Sequence, residues 1–565
     1  MNVSVGLVGS GPAVDSVAAA LGDVDASVER GSLESVSQHD VAVVVDETGD
    51  DAFFDAADSR SGPWVAVELG GVGSYPLRDV DASIAGFAPE TGCYRCLRTR
   101  IEAGEFETEA SDVAPETSRF AGALAGHRLV ATLRGEEAAL FGHVIELPYT
   151  ERRVLGVPTC ERCGEPPSAP TEGGESREVA EAIAHAEAGV DERVGIVRSV
   201  GEVDSFPVPY YLATGGETAG FSDASAPTQA AGVAPDWDAA YMKALGEALE
   251  RYSAGVYRDE WFDRASSEEL SDAIPPERFV GAGAPDAEIP WVGGEHLDTG
   301  EPVSLPAEFV QFPPPQKRFG PAITTGLGLG NTREEALLSG LYEVVERDAT
   351  MLAWYSTYEP LELVVEDETF RTLEARAASE GLSVTPLSVT QDVDVPVVAC
   401  AVHRKDGVWP RFALGSDADL DATAAARSAL CEALQNWMEL RSMGAQKAGE
   451  ESGWIGRYAS FPEPVRELLD ASGAVEASAL GSRPSGSEDE LATLVSRVRE
   501  VGLDAYAAWI TPDDVRTLGF EAVRVLVPEA QPLFTREPVF GERAEGVPGT
   551  MGFEPRLERD PHPYP

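Results

Sequence analysis

The sequence predicts an α/β protein of two units: a parallel α/β sheet over residues 1–165 and an α+β unit over 191–565, joined by a linker and connecting helix at 166–190. Three observations carry this reading. Short β-branched runs alternate with helical stretches through the first 165 residues, the pattern of a parallel sheet with crossover helices. A Pro- and Gly-rich stretch at 164–174 (GEPPSAPTEGG) then breaks that pattern. Beyond it, three helical segments carry one shared spacing of acidic residues among a mixture of strands and long helices.

In the first unit the clearest strands are 3–8, 41–45 and 64–68. Gly9-Ser-Gly11-Pro-Ala-Val14 follows the first strand as a dinucleotide fingerprint whose third glycine is missing, and Glu29 falls near the place of the ribose-binding acid. Cys93-Tyr-Arg-Cys96 and Cys160-Glu-Arg-Cys163 are two CxxC pairs. Four thiolates from two such knuckles make a closed tetrahedral Zn²⁺ site, a structural role, whereas a redox role needs only one pair at a helix start. Cys400 and Cys431 lie in apolar runs and read as core residues. Taken together, the fingerprint and the knuckles resemble the Rossmann-like E1/ThiF fold of ubiquitin-like activation. Active members of that group use a lysine near the nucleotide, and the first lysine of this chain is Lys243. The resemblance therefore implies a scaffold that keeps fold and zinc without adenylation.

The connector leads through an Ala/Glu-rich helix at about 175–189 into the second unit, whose strands include 397–402 and 522–527. Its three acidic segments are Lys243-Ala-Leu-Gly-Glu247-Ala-Leu-Glu250-Arg251, Ser339-Gly-Leu-Tyr-Glu343-Val-Val-Glu346-Arg347 and Ser428-Ala-Leu-Cys-Glu432-Ala-Leu-Gln435. Positions i and i+3 share a helix face, so each segment presents two oxygen-bearing side chains together. A single acidic pair of this kind is usually a solvated face. These sit among Ala, Leu, Val and Tyr, and Glu335 adds a further carboxylate near the start of the second helix. Gathered carboxylates suit Mg²⁺, which arrives with substrate phosphates. The leading glutamates are 96 and 89 residues apart, too far for a solenoid, so a pseudo-repeated helix layer is expected.

GNTREEALLSGLYEVVERDA (330–349) and ALGEALERYSAGVY (244–257) resemble the ATP-binding signature of YcaO-domain proteins, over roughly residues 190–565. The resemblance implies Mg²⁺ and ATP held by Glu247, Glu250, Glu335, Glu343 and Glu346, with Glu432 and Gln435 completing the pocket. Arg251 and Arg347 then contact phosphate or pair with a neighbouring Glu. Lys243 stands where the family pattern has Ser, and no Arg lies four residues after Gln435, the nearest being Arg441. Pro561-His-Pro563-Tyr-Pro565 resembles the PxPxP terminus of azoline-forming members, which implies that Pro561, Pro563 and Pro565 reach the catalytic centre. A Pro-rich end is otherwise a frayed tail, but alternate prolines make it stiff and cheap to order. Such members are often fused to an E1/ThiF-type domain and preceded by a winged-helix leader-binding module. Met1 runs almost directly into the first strand, so that module is expected to be absent and a separate leader-binding protein to stand in for it; a peptide substrate and a flavin dehydrogenase are the other expected partners. A homo-oligomer is expected.

Composition narrows the field. The net charge is −54, from 97 acidic against 43 basic residues, and only Lys243, Lys317, Lys405 and Lys447 are lysines. An acidity this evenly spread reads as adaptation to molar salt in a halophile, and it excludes the basic stripes that nucleic acid requires. No apolar run of 18 residues and no basic N-terminal region exist, so the expected location is the cytoplasm, away from membrane. None of the four lysines precedes Ser or Thr, which rules out a Walker-type loop, and neither HExxH nor GxSxG occurs. The expected activity is ATP-dependent cyclodehydration of Cys, Ser or Thr in a ribosomally made peptide. Thioamide formation and an ATP-binding accessory role are the alternatives.

Overall fold

The computed structural model describes residues 3–565 apart from 105, 110–111, 137, 171–175, 286, 321, 406, 451–453, 472 and 536. The first unit is a seven-stranded sheet of β1 (Val3–Val8), β2 (Ala26–Arg30), β3 (Val41–Glu47), β4 (Trp64–Leu69), β5 (Ala82–Phe87), β6 (His143–Leu147) and β7 (Thr150–Arg153), in the order β2-β1-β3-β4-β5-β6-β7. Strands β1 to β4 are parallel, as the alternation predicts. From β5 onward the pairing is antiparallel: no crossover helix separates β4 from β5 or β6 from β7, and β5 and β6 pair antiparallel although α4 (Tyr94–Ala103) and α5 (Pro115–Leu133) lie between them.

Helices α1 (Pro12–Leu21) and α5 (Pro115–Leu133) cover one face of this sheet, and α2 (Leu33–Val36), α3 (Ala52–Ser59) and α4 (Tyr94–Ala103) the other. Val5, Leu7, Val43, Val45, Val65 and Val67 point into the first core, whereas Ala42, Val44, Trp64 and Ala66 point into the second. Burial on both faces is why these strands read as continuous apolar runs rather than alternating ones.

Residues 171–175 of the connector lie outside the described residues. Past them, α6 (Val179–Glu187) packs on α7 (Trp237–Gly255), so this part of the connector belongs to a core. The second unit has three sheets. One holds β8 (Val197–Asp204), β9 (Tyr210–Gly215) and β10 (Gln229–Val233). Another holds β11 (Asp263–Ala265), β12 (Ile289–His296), β13 (Pro302–Pro306), β14 (Leu327–Gly330), β20 (Tyr506–Trp509) and β21 (Glu521–Leu526). The third holds β15 (Leu361–Val364), β16 (Ser383–Ser388), β17 (Val397–His403), β18 (Phe412–Ala418) and β19 (Ala474–Glu476). Helices α8 (Ala307–Val310), α9 (Arg333–Trp354), α10 (Glu368–Ser379) and α11 (Ala422–Glu450) complete the frame, with α11 broken at Gly444 (φ 77°).

Three strand–helix pairs, β10–α7, β14–α9 and β18–α11, repeat one design. Each strand carries a glycine where the helix backbone presses in: a Cβ would come within 2.2 Å of Ala240 O at Gly232, 2.2 Å of Ala336 O at Gly328 and 2.4 Å of Ala433 N at Gly415. Each helix also starts on a side-chain cap. Asp236 accepts from Ala239 N and Thr332 from Glu335 N (3.0 and 3.1 Å), and Asp421 accepts from Thr423 N (2.9 Å). Close approach plus fixed starts sets the depth and rotation of each helix, and hence where its glutamates point.

The two units are bolted together. Arg100 of α4 donates to Asp514 (2.7 Å), to Leu155 O (3.1 Å) and to Gly156 O (2.6 Å), and Tyr252 of α7 donates to the same Asp514 (2.6 Å). Arg100, Asp514 and Tyr252 are all buried.

Candidate functional site

Each of the three helices offers its leading glutamate to a backbone N–H just upstream. Glu247 accepts from Ala231 N (2.8 Å), Glu343 from Gly326 N (3.0 Å) and Glu432 from Ser416 N (2.6 Å). These donors lie 16, 17 and 16 residues before their acceptors. The strand thus orients a carboxylate on the helix that follows it, three times over. The pseudo-repeat expected from spacing is therefore a repeated hydrogen bond.

In the first two pairs the second residue lies deeper, Glu250 below Glu247 and Glu346 below Glu343. Burial pushes Glu250 up to about 8; Arg251 and Arg524 pull it down, while Glu343 and Glu247 add to the rise. Glu346 accepts from Ser416 Oγ (2.6 Å), lies 3.2 Å from Arg347 Nη1 and is held above the usual carboxylate range by burial. Glu432 is pushed up to about 7 by burial and by Glu346. Gln435 donates its amide to Glu439 (2.9 Å), which also takes the Tyr210 hydroxyl (2.9 Å). Glu247 and Glu439 both act on that tyrosine, so the third helix joins the first through Tyr210.

Four cations thread this row. Arg251 bridges Glu247 (3.0 Å) and Glu250 (3.7 Å). Burial works against the charge on Arg347, but Glu346, Glu432, Glu343 and Asp417 outweigh it and raise its pKa. Arg524 of β21 is 4% exposed, and burial lowers it to about 10 despite Glu343 and Glu250 nearby. Its Nη2 donates to Ile323 O (3.0 Å), while among the described residues Nε and Nη1 have no hydrogen-bond partner, and Arg251 Nη1 has only the long ion pair to Glu250. Lys243 faces Asp417 and Glu432.

A cavity of about 530 Å³ opens beside the row, lined by Lys243, Glu247, Glu250, Asn331, Glu335 and Arg177 among others. Glu335 is fixed at its rim by Asn331 N and Nδ2 (2.9 Å each) and by Ser176 Oγ (2.7 Å). Glu247, Glu250, Arg251, Glu335, Glu343, Glu346, Arg347, Glu432 and Gln435 are thus gathered into one region. Arg441 is elsewhere, paired with Asp204 (2.8 Å) and Glu380 (3.4 Å).

Sequence reasoning passed over Asp417, Arg524, Glu439 and Tyr210. Asp417 is held far above the usual range by burial, with Glu346 adding to the rise. Its signal was faint, a lone acid inside the apolar strand FALGSDA. Glu439 occupies the fourth position after Gln435, where an arginine was sought.

The Pro-rich end is docked. Tyr458 donates to Pro561 O, His562 Nε2 donates to Phe534 O (2.7 Å) and Trp354 Nε1 donates to Asp560 O (2.8 Å). His562 and Tyr564 are 0% and 2% exposed, and Pro563 between them is buried. Arg347 Nη1 lies 3.4 Å from Pro565 O, so the segment ends on a residue of the charge row.

The four cysteines also converge. Sγ atoms of Cys93 and Cys96 are 3.6 Å apart, Cys93 and Cys160 3.7 Å, and Cys96 and Cys163 3.3 Å, with all four within 4.8 Å of one another. Tetrahedral thiolates at about 2.3 Å from a metal stand about 3.8 Å apart, so this group fits one metal ion. Cys96 shares a core with Leu249 and Tyr252 of α7. By contrast, Gly11 caps α1 without a side-chain bond, and Glu29 lies exposed on β2, 3.5 Å from His39. Cys400 and Cys431 are buried core residues. Among the described residues no helix is long and apolar enough to cross a membrane.

Comparison with known proteins gives a family. The model described as YcaO cyclodehydratase, ATP- and Mg²⁺-binding, matches residues 231–531. An uncharacterized protein of Methanothermobacter thermautotrophicus is 30% identical over 311 residues, 51% of this chain and 78% of that protein. A solved heterocyclase in complex with substrate and cofactor is similar over 98% of this chain and 83% of its own, with a TM-score of 0.75 at 22% identity. YcaO from Methanopyrus kandleri, bound with AMPPCP and Mg²⁺, is similar over 63% of this chain and 92% of its own, with a TM-score of 0.51 at 26% identity.

Proposed function

The chain belongs to the YcaO family, and from that membership we propose an ATP-dependent cyclodehydratase that converts Cys, Ser or Thr of a ribosomally made peptide to azolines. The side-chain S or O forms a bond to the preceding carbonyl carbon and loses its proton. The carbonyl oxygen, now anionic, takes the γ-phosphoryl group and ADP leaves. The C–O bond to phosphate then breaks, the amide nitrogen gives up its proton and forms C=N, and the ring is closed. An amide oxygen is a poor leaving group, and phosphorylation repairs that.

The single observation that supports this best is the charge row: three helices bring buried and half-buried glutamates, and α7 and β21 bring Arg251 and Arg524 with unpaired donors, to one region beside a cavity. Buried carboxylates raised in pKa and arginine donors without partners await ions of both signs. Glu247, Glu250, Glu335, Glu343 and Glu346 would hold Mg²⁺, with Glu432 and Gln435 closing the third side. Bound Mg²⁺ supplies charge neutralisation for the phosphates. Arg251 and Arg347 would meet phosphate oxygens, and Pro561, Pro563 and Pro565 would border the reacting end.

The first unit would be an E1/ThiF-like scaffold in which Cys93, Cys96, Cys160 and Cys163 hold a structural Zn²⁺. The sulfur separations support this. Peptide substrate, a separate leader-binding protein and a flavin dehydrogenase remain the proposed partners, and the spread acidity favours a halophile cytoplasm. The deciding experiment incubates the protein with ATP, Mg²⁺ and Cys-, Ser- or Thr-rich peptides encoded beside its gene. Loss of one water per ring by mass spectrometry supports the reading. ATP binding without any mass change in those peptides would return the chain to an accessory role.

A further inference from the structure

A second, smaller cavity, of about 100 Å³, meets the charge row at Arg347 and Arg524. It abuts the first through the row itself, since Glu250 lines the larger cavity and interacts with Arg524, which lines the smaller. Its walls are mostly carbon, with Thr325, Gln531 and Glu308 the polar side chains beside the two arginines. Phe279 and Phe309 stack with centroids 4.0 Å apart and planes within 10°, and Ile323, Val344, Leu526 and Val527 complete the lining. The wall carboxylate, Glu308, is already spent on the backbone N–H groups of Arg318, Phe319 and Gly320 (2.8–3.2 Å).

Such a space is wrong for a polyphosphate, which needs donors on several sides. It is also wrong for a plain hydrocarbon, because Arg524 Nε and Nη1 are buried with no acceptor among the described residues, a costly arrangement unless a ligand brings one. The ligand that satisfies both demands carries one oxygen acceptor on an otherwise apolar body. On the reading given above, the peptide offers such a group at the reacting amide. We propose that this slot receives the residue preceding the ring-forming Cys, Ser or Thr, selects an uncharged apolar side chain there, and places its carbonyl oxygen on Arg524. As the side chain attacks, charge develops on that oxygen, so a guanidinium aimed at it stabilises the transition state more than the ground state. Arg524 would then be a catalytic residue, and the aromatic pair a specificity wall.

The test uses the full chain in high salt, first saturated with Mg²⁺ and a non-hydrolysable ATP analogue, with acetyl-Leu-Cys-amide and acetyl-Asp-Cys-amide as probes. The Leu probe is expected to bind at least about 10-fold more tightly than the Asp probe, a contrast an apolar pocket readily gives. Leu526→Trp, which fills the slot, is expected to remove most binding of the Leu probe and leave analogue affinity within about 2-fold. Arg524→Met is expected to lower the rate of ring formation by about 100-fold, far more than it lowers analogue affinity. Equal binding of both probes, no binding of the Leu probe, or an Arg524→Met loss carried wholly by analogue affinity would each overturn the proposal. The probe series on the native protein decides the matter even if a variant fails to fold. Absence of Mg²⁺-dependent analogue binding in the native protein would instead sink the underlying cyclodehydratase reading.

Discussion

The β1–α1 turn and the glutamate row both carry marks that cradle phosphates elsewhere, and they differ in what surrounds those marks. At the turn, Gly9 and Gly11 adopt positive φ (111° and 88°) and a helix begins. Asp15 and Arg30 there neutralise one another at 2.9 Å in the open. In the row, Glu346 is buried and Glu250, Glu432 and Asp417 are half-buried, all with raised pKa values, and Arg524 keeps two donors without acceptors among the described residues. Glycine geometry is a property of a fold, retained for packing. Uncompensated buried charge is a cost to folding, and where several such groups gather beside a cavity they mark a binding site.

The sharpest way to break this contrast is to remove one carboxylate from each place. Glu343→Gln or Glu346→Gln is expected to weaken Mg²⁺-dependent ATP binding by roughly 100-fold or more, since breaking a buried charge set costs about 3–5 kcal/mol. Glu29→Gln, exposed on β2, is expected to change nothing measurable. Calorimetric titration of all three settles it. Loss of affinity in the Glu29 variant would make the first unit a nucleotide site after all.

The next effect concerns the docked end. Deleting residues 561–565 leaves the anchors at Trp354–Asp560 and Arg556–Tyr355 in place (2.8 and 2.6 Å). Ring formation is expected to fall by about 100-fold, the scale of a misplaced reacting group, while ATP affinity stays within about 3-fold. Peptide mass loss measured beside nucleotide affinity separates the two. Full ring formation by the truncated chain would reduce the segment to packing.

A smaller effect should cross between the units. Cys163→Ser is expected to release the bound metal, about one Zn²⁺ per chain by elemental analysis. Cys96 packs with Leu249 and Tyr252 on the helix that carries Glu247 and Glu250, so ATP affinity should also drop, by about 3- to 10-fold. Unchanged affinity in the metal-free variant would mean that the bolt of Arg100, Asp514 and Tyr252 holds α7 alone.

Much of this was legible in the sequence, for reasons that are physical. The three acidic helices announced themselves because i, i+3 spacing survives any rotation of the helix in the fold. The two CxxC pairs did so because metal geometry fixes ligand spacing. Asp417 and Arg524 were hidden because they sit on strands, where one acid or base among apolar residues reads as an outward-facing position. Their inward burial comes from the packing of α9 and α11 against β18 and of α9 against β21, which no local pattern records. The antiparallel turn after β4 was hidden likewise, since β-branched runs do not reveal strand direction.

The smallest expected effect is a proton count. Burial pushes Glu250 to about 8 and Glu432 to about 7, so near pH 7 the free protein holds a proton on Glu250 in most molecules and on Glu432 in about half. Their folded pKa values exceed the unfolded ones, so their contribution to stability is full below about 4.5 and is lost as pH rises through 7 and 8. Cation binding reverses this, because a metal ligand must be ionised and the protons must leave. Binding of Mg²⁺ and ATP is therefore expected to release about one proton per chain at pH 7 and to tighten as pH rises toward 8. Calorimetry in two buffers of different ionisation heat counts these protons. The first unit supplies the control: Glu68 is wholly buried, pushed up to about 7 by burial and held by Gly73 N and Ser74 N (2.8 and 2.9 Å). It shares the raised pKa but not the site. Glu250→Gln should lower the proton count, and Glu68→Gln should leave it unchanged. A count that follows Glu68 instead would place the ligand in the first unit and dissolve the contrast between the two regions.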